Sequence, residues 1–135
     1  MIRNQMKTEI KKLIKAIGDD YALWASKAFE ANRAAPGYEH AKINEFRNSI
    51  WVLEGSKYLK ITTGNTVWGF VNKGNKDFKI GDILKAANWR APALNRSRGN
   101  IFEDYSIAWT GPHYISGYSA GGTRDVDLLK PGRAK

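Results

Sequence analysis

Apolar residues in the first part of the chain recur at the spacing of an α-helix. Between residues 5 and 18 they form one stripe, and lysines occupy the opposite side. The stripe consists of Met6, Ile10, Leu13, Ile14 and Ile17. Gly18, followed by two aspartates, is typical of the end of one helix and the cap of the next. We therefore predict a helical hairpin over residues 5–35, whose second helix runs from about Tyr21 to Ala34 and stops at Pro36.

Beyond that stop the apolar period becomes that of a β-strand. Three alternating runs are separated by Gly55-Ser56 and Gly64-Asn65, and each pair signals a two-residue hairpin loop. Two such loops would place one apolar set on one face of a three-stranded meander: Ile50, Val52, Leu59, Ile61, Trp68 and Phe70. The opposite face would then carry Trp51, Lys60 and Gly69 in one row. The missing side chain of Gly69 would leave the backbone there open to close approach.

The rest of the chain is less regular. Residues 78–88 fit either a short helix capped by Asp82 or a further strand, and we favour the strand. Residues 101–105 and 107–114 can supply one more short strand. From residue 116 onward Gly, Ser, Ala and charged residues dominate, which is typical of an extended tail that becomes ordered on a partner.

These elements predict an α+β fold. Two N-terminal helices precede an antiparallel β-meander of three to five strands and an irregular C-terminal tail. We expect a single domain over residues 1–115, with its sheet and basic loop over 43–115, and an extended Gly-rich tail over 116–135.

The chain is strongly basic and lacks cysteine. Its 135 residues include 22 Lys and Arg against 13 Asp and Glu, a formal net charge of +9 that favours binding to polyanions such as nucleic acid. The surplus lies in the lysines of the first helix, in residues 57–79 and in the acid-free stretch 85–100. Without cysteine, a disulfide framework, a Cys-ligated metal site and thiol catalysis are excluded.

No motif indicates catalysis. His40 and His113 have no partner at metal-ligand spacing, and the acidic pairs at 103–104 and at 125 and 127 have no nucleophile or general base beside them. Phosphate loops, dinucleotide fingerprints and nucleophile elbows are missing from the sequence. We therefore expect a non-enzymatic protein without a metal or other cofactor.

The apolar runs are also too short for a membrane span. Such a span needs about 18 residues, and lysines interrupt the N-terminal apolar positions, so we expect neither a spanning helix nor a signal peptide. The expected location is cytoplasmic, with no membrane partner.

The best candidate site combines the second sheet face with the arginine loop, which carries Arg90, Arg96 and Arg98. Surfaces that bind single-stranded nucleic acid use aromatic rings to stack on bases and cations to neutralise phosphates. The candidate residues are Arg47, Trp51, Tyr58, Lys60, Lys85, Trp89, Arg90, Arg96 and Arg98. In the alternative interpretation the helices pack on this face and Trp51 is a core residue, while the arginine loop still binds phosphate. The lysines of the first helix fit either a phosphate-tracking stripe or a solvated face.

Several sequence blocks between residues 54 and 115 form a pattern of their own. They are Glu-Gly-Ser-Lys-Tyr-Leu-Lys-Ile at 54–61, Val-Trp-Gly-Phe-Val at 67–71, Gly-Asp-Ile-Leu-Lys-Ala-Ala-Asn-Trp-Arg-Ala-Pro-Ala at 81–93, Arg-Gly-Asn-Ile-Phe at 98–102 and Trp-Thr-Gly at 109–111. With these blocks the chain resembles a group of small bacteriophage-encoded proteins of unassigned function, and the block at 81–93 is the most characteristic. The resemblance implies a phage origin, an accessory role in the infected cell and a location in the host cytoplasm. It supplies no catalytic residues.

The resulting hypothesis is a basic, non-enzymatic protein that binds single-stranded nucleic acid, RNA in the first place, with low sequence specificity. One alternative is a protein–protein interaction module that binds a host factor, in host takeover or anti-defence, through the tail and the exposed tryptophans. Another is a structural subunit of a phage assembly whose tail reaches another copy.

Overall fold

The computed structural model describes residues 4–31 and 37–113, and within them it contains two helices. Helix α1 spans Asn4–Ala31 and helix α2 spans Tyr38–Asn48. The tail predicted over 116–135 lies outside the described residues, as do Ala34 and Pro36 at the predicted end of the second helix.

Six short strands follow the helices within the described part of the chain. They are β1 (Ile50–Glu54), β2 (Tyr58–Thr63), β3 (Thr66–Asn72), β4 (Ile83–Leu84), β5 (Ser106–Ala108) and β6 (Gly111–His113). The first four form one antiparallel sheet in the order β1-β2-β3-β4, and β5 pairs with β6 in a separate hairpin. The predicted α+β fold, with helices first and an antiparallel sheet after them, is confirmed. Residues 78–88 contribute only the two residues of β4.

The predicted helix boundary at Gly18 is wrong, because α1 continues through it. A Cβ at Gly18 would lie 2.6 Å from Nη1 of Arg47, so the glycine lets α2 approach closely and does not end the helix. A helix-interior glycine costs only about 1 kcal/mol, which packing outweighs. Arg47 bonds Asp19 at 3.0 Å. The second helix begins instead after Gly37, whose φ of 83° suits glycine, and covers residues that we assigned partly to the sheet.

The apolar stripe of α1 packs against the sheet as predicted. Its buried positions, Met6, Ile10, Leu13 and Ile17, form one core with the sheet residues Leu59, Ile61, Trp68, Val71 and Ile83. Ile50 and Val52 of β1 pack at the edge of this core. The helices therefore cover the sheet face that carries Leu59 and Ile61, and they leave the face that carries Trp51 uncovered. This excludes the alternative in which Trp51 belongs to the helix-packed core.

The first hairpin has a longer loop than predicted, yet its faces are unchanged. Glu54 pairs with Leu59 and Val52 with Ile61, so residues 55–58 lie between the two paired positions nearest the turn. Relative to the predicted register the strands have slid by two residues. Because side chains in a strand alternate with a period of two, a slide of two keeps each side chain on its face.

The second hairpin has the predicted loop but contains a β-bulge. Thr63 pairs with Thr66 around Gly64-Asn65, as expected, and then the register shifts, so that Thr62 pairs with Val67 but Ile61 pairs with Gly69. Trp68 is the extra residue. Its side chain is buried in the core, and its indole N–H donates to the carbonyl oxygen of Ala108 at 2.9 Å.

Beyond the bulge, the side chains of β3 lie on the faces opposite to those predicted. Val71, not Phe70, lies on the helix-covered face, and Phe70 packs on the opposite face with Leu84 and Phe78. The predicted placement of Phe70 is therefore wrong. The predicted position of Gly69 is also wrong, because Gly69 pairs with Ile61 and not with Lys60. A Cβ at Gly69 would lie 3.0 Å from the carbonyl oxygen of Leu84. The space beside Gly69 is used by β4 and leaves no opening for a ligand.

Two leucines of α1 test this packing. Leu13 is fully buried in the core, whereas Leu23 is 60% exposed on the same helix. We expect Leu13→Ala to lower the free energy of unfolding by about 2–5 kcal/mol, because it leaves a cavity. Leu23→Ala should change it by no more than about 0.5 kcal/mol. Urea denaturation followed by circular dichroism measures both, and equal losses in the two variants would contradict the packing of α1 on the sheet.

Candidate nucleic-acid interface

The uncovered sheet face presents aromatic, apolar and cationic side chains together. Leu53 pairs with Lys60, and Lys60 pairs with Phe70, so these three side chains form a row across β1, β2 and β3. Trp51 lies two positions before Leu53 and therefore on the same face. It is 65% exposed, which is unusual for so large an apolar side chain outside a binding surface. We call this surface the open face.

A small hairpin after β4 folds toward the open face. We call residues 85–93 the Trp89 hairpin. An isolated bridge joins Ala86 to Pro92, and the N–H of Ala93 donates to the carbonyl oxygen of Lys85 at 2.7 Å. At the tip, the Oδ1 atom of Asn88 accepts the backbone N–H groups of residues 90 and 91 at 2.8 and 3.0 Å. This turn chemistry fixes a tip that projects Trp89 and Arg90.

Trp89 lies over the side chain of Lys60. The Nζ atom of Lys60 is 4.6 Å from the centroid of the ring, a cation–π distance, and Trp89 remains 51% exposed. A groove of about 320 Å³ opens beside this pair, and its cationic side chains are Lys57, Lys60 and Arg90. Leu53, Tyr58 and Phe70 are also among its lining residues.

Two further contacts shape the walls of the groove. The Nδ2 group of Asn75 donates to the hydroxyl oxygen of Tyr58 at 2.9 Å, and the ring of Tyr58 meets Phe70 edge-on with centroids 5.9 Å apart. Glu54 is an acidic residue of this wall. Its carboxylate is bonded by Lys73, which lowers the pKa of Glu54. Tyr58 is therefore a wall residue whose position is held by two contacts. The ammonium group of Lys73 lies beside the negative charge of Glu54.

The structure brings Trp51, Tyr58, Lys60, Trp89 and Arg90 to the open face or its groove. Arg47 does not join them. It lies on α2, not on a strand as predicted, and pairs with Asp19.

Three other candidates lie away from the groove. Lys85 and Arg98 line a second cleft, of about 260 Å³. Arg96 is half-buried and lines neither cavity.

Sequence reasoning missed Lys57 and Asn88 as contributors to this surface. Lys57 follows the Gly55-Ser56 turn, so it could have been found from its place at the loop end of β2. Asn88 carries an Asx-turn signal, an asparagine one position before the exposed Trp89.

The lysines of α1 belong to a different surface. Lys7, Lys11, Lys12 and Lys15 are exposed, on the side of α1 opposite its buried stripe. Lys12 pairs with Glu9 at 3.3 Å and Lys15 with Asp19 at 2.8 Å. This arrangement is that of a solvated helix face carrying ion pairs.

A buried polar network positions the segment that carries Arg98. The carboxylate of Asp82 accepts the N–H of Lys79 at 2.9 Å and the Nδ2 group of Asn100 at 3.0 Å. Beside it, Ile83 exchanges backbone hydrogen bonds with residues 98 and 99 at 2.7 and 2.8 Å. Residues 97–100 therefore run along β4 and extend the sheet edge. Burial of the carboxyl raises the pKa of Asp82 above its ordinary value.

Within residues 4–31 and 37–113, no group of three or more His, Asp or Glu side chains could hold a metal ion. Neither helix in this part of the chain is long and apolar enough to cross a membrane. Comparisons with family models, with curated proteins and with solved structures find no match to this chain.

The raised pKa of Asp82 predicts the direction in which folding stability changes with pH. Its ordinary value is 3.8, so above about pH 4 the folded protein holds this proton more tightly than the unfolded chain does. Wild-type stability should therefore fall, through this group, as pH rises from about 4 through the folded-state pKa. Asp82→Asn mimics the protonated acid and removes that loss.

Urea denaturation at several pH values between about 3.5 and 7 tests this sign. The stability of Asp82→Asn minus that of the wild type should increase with pH. Asp77→Asn, at an exposed aspartate of the preceding loop, is the matched control and should track the wild type. A difference that stays constant or decreases with pH would show that burial does not control this carboxyl.

Proposed function

We propose that the protein binds single-stranded nucleic acid, RNA or DNA, across the open face, with low sequence specificity and without catalysis. The observation that carries this proposal is the position of Trp89, held over Lys60 with half of its surface exposed, beside the groove that Arg90 lines. Aromatic platforms next to cations are the parts from which single-strand binding surfaces are built.

The aromatic part consists of Trp51 and Trp89. Both expose about half or more of their surface, 65% and 51%. Stacking of a base on such a ring contributes about 1–3 kcal/mol and tolerates any base, since every base has a π-face. Low sequence specificity follows from this tolerance.

The cationic part consists of Lys57, Lys60 and Arg90, which line one groove. Contacts from such side chains to phosphate oxygens fix the position of the strand without reading its sequence. The lining of the groove includes neither an asparagine nor a glutamine, the side chains that read adenine edges. Under the resemblance described above, the protein would act as a phage accessory factor in the host cytoplasm.

Salt dependence and charge removal test the cationic part. Fluorescence anisotropy with a 3′-labelled oligouridine or oligothymidine should show affinity that falls with salt by a slope of about −0.7 per phosphate, or about −2 for three contacts. Lys60→Gln should reduce the size of that slope by about 0.7. Lys11→Gln, at an exposed lysine of α1, is the charge-matched control and should leave the slope unchanged. The proposal fails if no binding occurs at low salt, or if the two variants behave alike.

Removal of the ring tests the aromatic part. Trp89→Leu should weaken binding by about 1–3 kcal/mol and leave the salt slope unchanged, because it removes stacking but no charge. Trp24→Leu, at an indole of α1 that is 46% exposed, is the matched control and should bind as the wild type does. An unchanged affinity for Trp89→Leu would contradict stacking on the Trp89 hairpin.

A second candidate function, protein association, is favoured by a different surface. Leu23, Trp24 and Tyr38 are 60%, 46% and 45% exposed, and Phe29 links the two aromatic rings with centroid distances of 6.3 and 5.3 Å. Aromatic residues that are exposed and in contact with one another, as along Trp24, Phe29 and Tyr38, are typical of interaction surfaces. A host factor or another copy of the chain are its candidate partners.

Sedimentation of the full chain tests the association with another copy. If copies assemble through this surface, Trp24→Arg should convert the assembly to monomer, because it places a charge in an apolar contact. Lys11→Gln is the control and should sediment as the wild type does. A monomeric wild type at high concentration would contradict self-assembly.

A further inference from the structure

The cleft lined by Lys85 and Arg98 lies between β3, the segment that follows β4, and the β5–β6 hairpin, and we call it the β4–β6 cleft. It has a volume of about 260 Å³. Val67, Trp68 and Ala86 form its apolar lining, and Thr110, Gly111 and Pro112 form the part contributed by the second hairpin. The cleft is separate from the groove of the open face, with which it shares no lining residue.

The charges of this cleft are of one sign. Lys85 and Arg98 line it, and none of its lining residues is an aspartate or glutamate. Arg98 is only 8% exposed, and its Nη1 group donates to the carbonyl oxygen of Pro112 at 3.4 Å. A guanidinium that is this deeply buried attracts a nearby anion more strongly than one in water does, because the local dielectric constant is low.

The position of Arg98 is fixed before any ligand binds. Its N–H donates to the carbonyl oxygen of Ile83 at 2.7 Å, and the hydroxyl of Ser97 donates to the carbonyl oxygen of Gly99 at 2.8 Å. Gly99 has a φ of 127° and lies against Tyr105, so no larger residue fits there. The backbone that presents the guanidinium is therefore held on both sides, which lowers the entropy cost of binding.

This chemistry fits a phosphate monoester. At pH 7 such a group carries a charge of about −1.5 to −2, which matches one lysine and one arginine, whereas a diester in the middle of a chain carries only one charge. The planar fork of an arginine suits two oxygens of one phosphate. The hydroxyl of Thr110 adds a neutral donor at the rim.

We propose that the β4–β6 cleft binds a phosphate monoester, and that its source is the terminal phosphate of a nucleic-acid strand lying on the open face. The Trp89 hairpin connects the two sites, because Lys85 at its base lines the cleft and Arg90 at its tip lines the groove. The assignment to a strand end rests on the proposed function. Binding of the phosphate group itself does not.

Inorganic phosphate tests the cleft alone. Titrated at constant ionic strength, it should shift the amide resonances of Thr110 and Gly111 in a heteronuclear NMR spectrum of the full chain. Lys85→Gln should weaken this binding about tenfold or more, since it removes a charged donor. Lys11→Gln should not. Arg98→Lys keeps the buried charge but loses the fork, and it should also weaken binding. Absence of the shifts in the folded wild type would overturn the proposal.

Oligonucleotides of one length and sequence then identify the source. We expect an end-phosphorylated strand, with the phosphate at the 5′ or the 3′ end, to bind about tenfold more tightly than a strand with hydroxyl ends. Lys85→Gln should abolish that difference, whereas Lys11→Gln should preserve it. Equal affinities combined with phosphate-induced shifts would overturn the strand-end assignment in favour of a free phosphate. Loss of all oligonucleotide binding with the shifts intact would contradict the proposed function and the strand-end assignment that rests on it, but not the binding of phosphate in the cleft.

Discussion

One extra residue in β3 determines which side chains of that strand point to the helices and which point to the open face. Trp68 is the extra residue of the bulge and keeps its indole in the core, where its N–H donates to the carbonyl oxygen of Ala108. Beyond it, Val71 points to the helices and Phe70 to the other side. Without the bulge, Phe70 would lie under α1, and the open face would lose the ring that supports Tyr58. The core and the candidate site therefore depend on the same irregularity.

The bulge also determines how the rest of the chain attaches. Gly69, placed opposite Ile61, lets the carbonyl of Leu84 come close, so β4 can pair with the end of β3. The Trp89 hairpin leaves directly from β4 and returns over β2, where Trp89 meets Lys60. The buried network of Asp82 then holds residues 97–100 along the outer side of β4. This arrangement directs Arg90 toward the groove and Arg98, which is buried, into the second cleft.

Errors in the sequence-based prediction have physical causes that differ between elements. Gly18 resembles a helix end because glycine is a poor helix former, but the propensity penalty is small and α2 needs the space that a side chain would fill. Arg47 was predicted on a strand because the helical pattern of 38–48 is weak, and no residue of α2 is fully buried to mark a face. The β1–β2 loop was predicted two residues too short, which moved the register by two and left each side chain on its predicted face.

Four features could be predicted from the residues alone: the apolar stripe of α1, the three-stranded meander, the absence of cysteine chemistry and the alternation that puts Trp51 and Lys60 on one face. They follow from periodicity and composition, which are local and survive a register shift of two. Three others depend on how the folded chain packs: the helices cover the other face, β3 changes face at Trp68, and Arg90 points outward whereas Arg98 is buried. The arginine loop has no regular spacing of apolar residues from which the direction of its side chains could be predicted. The direction of its side chains depends on long-range contacts, between Arg98 and β6 and between Trp89 and Lys60, that no local pattern encodes.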